Sequence, residues 1–198
     1  MHMRVLGPIL ALVVCSSALA AQAPSACALD DGVPNGLLGW TSGGDVVWLN
    51  RFGAPGTTTV VSDLSVIWGA AGAAGMNPGN GTPTDVCLWL DGPSQDGDPS
   101  DATLLLQIPT TVSLVDTNTY VSFPIAPLTI VGNFFVGTHQ VHNGTAPGGP
   151  VQFVVPVDWT TEAGEVAWIF GDNSSPSALA NLSNPGANVQ PPVLISPL

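Results

Sequence analysis

"TVVSDLSVIWG", residues 59–69, decides the fold class of this chain. Leu64, Val66 and Trp68 fall on one face of an extended backbone. Asp63 and Ser65 fall on the other, with the apolar Ile67 beside them. A period of two is the signature of a strand with one face turned to a core. The residues around it are Gly, Pro and Thr, which punctuate strands rather than extend helices.

The same grammar repeats on either side. "GDVVWLNRF" (44–52) precedes it and "TDVCLWL" (84–90) follows, the latter so continuously apolar that both of its faces should be covered. "ATLLLQI" (102–108) and "TVSLV" (111–115) are divided by Pro109. "NTYVSFPI" (118–125) sets Val121, Phe123 and Ile125 on one face, with Tyr120 and Ser122 on the other. "NFFVGTHQVH" (133–142), "VQFVVPVDW" (151–159), "EVAWIFG" (165–171) and a weak "PVLI" (192–195) complete the series. Stretches such as "GAAGAAGMNPGNG" (69–81) and "HNGTAPGGP" (142–150) read as loops. The one candidate for a helical turn is "PSALANL" (176–182). Regular short strands with turn signals between them predict an all-β chain: a single antiparallel β-sandwich, jelly-roll-like, of about nine or ten strands.

The first 23 residues read differently. Arg4, the apolar "VLGPILALVV" and the small-residue stretch "SSALAAQA" have the order of a secretory signal peptide, with cleavage after Ala20 or Ala23. "LVVC", ending at Cys15, has a lipobox-like shape, although Val14 is bulky where that motif wants a small residue. The expected organisation is a signal peptide over 1–23 and one sandwich domain over 24–198, secreted or held in the cell envelope or periplasm. No later apolar run is long enough to span a bilayer.

The 198 residues carry 14 acidic and 2 basic side chains, a formal charge of -12, and 45% apolar residues. The basic residues are Arg4 and Arg51, and lysine is absent. Such a surface repels phosphate backbones and anionic lipid, because those partners need Lys and Arg to displace counterions. Cations are its natural companions.

Cys27 and Cys87 remain after signal cleavage. In an oxidising compartment they are a disulfide candidate, which would close a loop of about 60 residues and stabilise by roughly 4 kcal/mol. Two separate buried thiols are the other reading.

The richest constellation lies between two strong strands. "DGPSQDGDPSD" (91–101) holds Asp91, Asp96, Asp98 and Asp101. Calcium takes six to eight hard oxygens, typically from carboxylates and carbonyls of one tight loop. The spacing is not that of an EF-hand. Counted from Asp91, the third, fifth, sixth and twelfth positions are Pro93, Gln95, Asp96 and Ala102. A looser calcium site with all four aspartates as ligands stays open beside a plain turn, since Asp also bonds nearby backbone amides. A catalytic carboxylate pair needs one raised pKa in a pocket, which a solvated hairpin tip does not offer.

Other groups carry less. His139 and His142 are three apart on a strand, so they face opposite ways and make a poor metal pair; each reads as a surface or rim residue. Glu162 and Glu165 sit in a turn-like "TTEAGE". No G-x-S-x-G elbow occurs. Arg51 is expected to pair with a carboxylate such as Asp45 or Asp31. Of the six tryptophans, Trp48, Trp68, Trp89 and Trp168 lie in strands and are expected in the core, while Trp40 and Trp159 are the candidates for exposure.

The motifs taken together resemble an uncharacterised type of secreted bacterial β-sandwich domain. They are "LDDGVPNGLLGWTSGGDVVWLNRF" (29–52), "VIWG" (66–69), "DVCLWLD" with "DGDPSDATLL", and "FFVGTHQ" (134–140). The resemblance covers most of residues 29–182. It implies an exported sandwich that often stands alone after a signal peptide. Two departures are visible: one extra residue before "DGDP", and no basic residue near the C-terminus. The function expected is a non-enzymatic module with a structural, adhesive or ligand-binding role, stabilised by calcium. Its partner would be an extracellular glycan or a cell-envelope component. The alternative is a carbohydrate-active enzyme or carbohydrate-binding module on a jelly-roll scaffold.

Overall fold

Eleven strands form among the described residues of the computed structural model, which are 27–28, 36–39, 44–69, 78–142, 154–157, 167–171, 179 and 193–197. They are β1 (Cys27–Ala28), β2 (Gly36–Gly39), β3 (Gly44–Phe52), β4 (Thr58–Val66), β5 (Pro83–Leu90), β6 (Thr103–Thr111), β7 (Val121–Val131), β8 (Phe134–His142), β9 (Val154–Val157), β10 (Ala167–Gly171) and β11 (Val193–Pro197). The signal segment 1–23 with Cys15, and Asp31, Trp40, Trp159, Glu162 and Glu165, lie outside the described residues.

The strands make one five-stranded sheet, ordered β10-β3-β8-β5-β6, and one four-stranded sheet, ordered β1-β11-β4-β7. A short ribbon pairs β2 with β9. Every pairing is antiparallel. The chain is thus all-β. Residue alternation explains the arrangement. In β3, β5 and β8 one set of side chains (Val46, Trp48, Phe52, Val86, Leu88, Phe134, Val136) turns toward Val61, Leu64, Val66, Trp68 and Ile130 of the four-stranded side, and these form one buried cluster. The expected faces hold here: Leu64, Val66 and Trp68 are buried together, and Val121, Phe123 and Ile125 pack against them. Fully burying a side chain of this size stabilises by roughly 1.5–3 kcal/mol. Phe52 stacks on Phe134 at 5.8 Å between centroids, and Trp68 meets Phe123 edge-on at 5.9 Å.

The intervening residues of the five-stranded sheet point the other way. Val47, Leu49, Cys87, Trp89 and Phe135 form a second buried cluster, joined by Leu179. Both faces of β5 are therefore covered, as its continuous apolar run requires.

Two expectations need correction. Pro109 does not divide two strands. β6 runs through it to Thr111, with Pro109 opposite Asp85. As the last strand in its sheet, β6 needs no ladder partner on its outer side, where a proline costs little. The chain turns only afterwards, at Leu114, Asp116 and Asn118, all with positive φ. The Cys27–Cys87 disulfide is not formed either. Cys87 is a free, buried thiol in the second cluster, on the face of the five-stranded sheet opposite the inter-sheet core. Cys27 belongs to β1 in the four-stranded sheet.

Candidate functional site

The acidic loop 91–101 is the hairpin between β5 and β6, and its backbone is organised around one buried carboxylate. Asp91 is 4% exposed. Its Oδ1 accepts from the Gly92 amide at 3.0 Å. Its Oδ2 accepts from the Gly97 amide at 2.9 Å and from Asn133 Nδ2 at 3.1 Å. Three donors around a buried anion satisfy the rule that a desolvated charge must be bonded.

Gln95 and Asn133 tie this hairpin to the β7–β8 turn. Gln95 Nε2 donates to the Asp91 and Gly92 carbonyls at 3.2 and 3.0 Å, and its Oε1 accepts from the Asn133 amide at 2.7 Å. Asn133 Nδ2 also donates to the Gln95 carbonyl at 2.9 Å, and Asn133 O accepts from the Asp91 amide at 3.2 Å. Gln95 holds a left-handed φ of 51°, a conformation that these bonds retain against its steric cost.

Two glycines make room for charged side chains. A Cβ at Gly92 would meet the Asp101 carboxylate at 1.9 Å. A Cβ at Gly97 would meet Arg51 Nη1 at 1.9 Å, and Gly97 has a φ of +80° besides. Arg51 therefore reaches the acidic loop. Asp31 and the Asp45 side chain, its expected partners, lie outside the described residues; its guanidinium lies against Gly97, so one cation partly offsets the charge of the loop.

Of the four expected ligands, three come together. Carboxylate oxygens of Asp91, Asp96 and Asp101 lie within 4.8 Å of one another, with Asp91 buried and the other two exposed. Asp98 stands apart from them. Its Oδ1 accepts from the Ser100 amide at 2.8 Å and so caps the 3-10 turn Pro99–Asp101. Asp96 Oδ1 accepts from the Asp98 amide at 3.0 Å, and Asp101 Oδ2 from Ser94 Oγ at 3.3 Å. Asp96 and Asp101 each keep a second oxygen for another ligand. Unit charges at this separation repel by on the order of 1–3 kcal/mol per pair. A cation placed among them would reverse that sign. The donor set is hard oxygen throughout and fits a cation such as calcium, whose remaining positions backbone carbonyls and water would have to fill.

His139 corrects a further expectation. It is not a surface or rim residue: it is 6% exposed, and its Nδ1 lies 3.0 Å from Asp85 Oδ2. Thr84 Oγ1 donates to the His139 carbonyl at 3.0 Å. Burial pushes the neighbouring Cys87 thiol far above its ordinary pKa, and the Asp85 charge pushes it the same way. That thiol is a core group, not a nucleophile. Trp48, Trp68 and Trp89 are all buried as expected; the Trp168 and His142 side chains lie outside the described residues.

Gln95, Asn133 and Arg51 are the site residues that sequence reading missed. Asn133 stands 42 positions from Asp91, and no local pattern signals that pairing. Among the described residues no helix is long and apolar enough to cross a membrane. No protein-family model matches this chain, and no curated protein matches it.

Proposed function

We propose that this chain is an exported bacterial module, a jelly-roll-like sandwich of its two sheets, with a structural, adhesive or ligand-binding role outside the cytoplasm and without catalytic activity. We infer that calcium bound at Asp91, Asp96 and Asp101 stabilises it. The observation that carries this reading is the convergence of those three carboxylates on a hairpin fixed by Gln95 and Asn133. The signal-like N-terminus supports export, and the charge of -12 supports a cationic ligand. The shared cluster between the sheets supports the sandwich. Asp98 is left out of the ligand set because its carboxylate caps the 3-10 turn.

The test is a thermal melt of residues 24–198 with and without calcium. For a dissociation constant near 0.5 mM, in the range of extracellular calcium modules, 5 mM calcium would add about 1.4 kcal/mol. That is a rise in Tm of roughly 3–5 °C for a domain of this size. The double variant Asp96→Asn, Asp101→Asn should lose the rise. A wild-type melt that ignores calcium removes this reading.

A further inference from the structure

A second place on the fold has the chemistry of a binding site. A cleft of about 140 Å³ opens where β5 begins, lined by Pro83, Thr84, Asp85, Pro109, Thr110 and His139. It lies at the end of β5 opposite the acidic hairpin, about 20 Å away along the strand. Its character is mixed in an instructive way. Pro83 and Pro109 present apolar rings. Asp85 presents a carboxylate whose side chain is 18% exposed. Asp85 Oδ2 is held by His139 Nδ1 at 3.0 Å, which fixes the carboxylate in place and leaves Oδ1 as an acceptor. The Thr84 hydroxyl is already engaged with the His139 carbonyl, so it offers little to a ligand.

The volume equals that of four or five waters at roughly 30 Å³ each, enough for a short chain of about five heavy atoms. The oriented anionic acceptor asks for a donor, and a chain with net charge -12 concentrates cations and repels anions. The proline rings ask for methylene. We propose that this cleft binds a protonated primary alkylamine, its ammonium group on Asp85 and its stem between Pro83 and Pro109. Such a group occurs on free amines and on lysine side chains, and this protein has no lysine of its own to fill the cleft. The proposal is independent of calcium at the acidic hairpin, because the two sites share no residue.

The experiment is an amide-shift titration of ¹⁵N-labelled protein, residues 24–198, at low ionic strength. The probes are n-butylammonium, methylammonium, n-butanol and Nα-acetyl-lysine N-methylamide. n-Butylammonium should shift the amides of Thr84, Asp85, Thr110 and His139 saturably, more tightly than methylammonium, and n-butanol should not. Asp85→Asn should weaken the response about tenfold, the cost of one screened charge contact of about 1.4 kcal/mol. The double variant Asp96→Asn, Asp101→Asn should leave it unchanged. A response to the lysine derivative supports a cleft open to protein side chains; a response to the free amine alone supports one confined to small amines. Equal binding of n-butanol, an undiminished response in Asp85→Asn, or shifts centred on residues 91–101 would overturn the proposal. Should Asp85→Asn fail to fold, the butylammonium–butanol comparison on the wild-type chain decides it.

Discussion

Asn133→Ala tests how the candidate site is built. In the wild type, Asn133 Nδ2 donates both to the Asp91 carboxylate at 3.1 Å and to the Gln95 carbonyl at 2.9 Å. Asn133 and Asp91 are only 3% and 4% exposed, so water does not readily replace the lost donor. A hydrogen bond to a charged group contributes about 1.5–3 kcal/mol and a neutral one about 1. The alanine keeps its own amide bond to Gln95 Oε1, so the hairpin is weakened and not released. The expected loss is about 3 kcal/mol. At roughly 2–4 °C per kcal/mol for a domain of this length, Tm should fall by about 6–12 °C. Urea unfolding followed by tryptophan fluorescence measures the free energy, and calorimetry measures Tm. The variant should also weaken any calcium response, since Asp91 Oδ2 would keep the Gly97 amide but lose its second donor. A loss below about 1 kcal/mol would mean that the buried carboxylate does not depend on this donor.

Other outcomes follow from the same geometry. Gly97→Ala should destabilise by about 2 kcal/mol or more, since φ is +80° and the added methyl falls on Arg51; urea melts of the variant check this. Cys87 should resist a thiol reagent at pH 8 in the folded protein and react at once in denaturant. Its folded pKa is raised, so its contribution to stability is complete below the ordinary thiol value and lost as pH climbs above it. A stability curve for wild type should therefore fall more steeply above about pH 8.5 than one for Cys87→Ala.

The strand faces were legible because they are local. In β5 a period of two sends Val86 and Leu88 into one cluster and Cys87 and Trp89 into the other. The acidic hairpin was legible as a cluster, but not which aspartates meet. Asp98 was separated from the others by a cap bond to a residue two positions on. The role of Pro109 is not local: proline is excluded from central strands, and whether a strand is central or at an edge depends on the order in the sheet. The disulfide expectation failed for a similar reason. Two cysteines behind a signal-like N-terminus suggest a bond, but Cys87 points away from the sheet that contains Cys27.

The period of the strands is written in the sequence, because it follows from the covalent geometry of an extended chain: alternate side chains face opposite ways whatever surrounds them. The sequence likewise carries the all-β class, the two faces of β4 and β5, and a surface hostile to anions. The tertiary structure alone decided the meetings between distant segments. It set Asn133 against Asp91, Arg51 against Gly97, and His139 against Asp85. Those pairings depend on strand order and register, which are fixed by the packing of whole faces and not by any short stretch of residues.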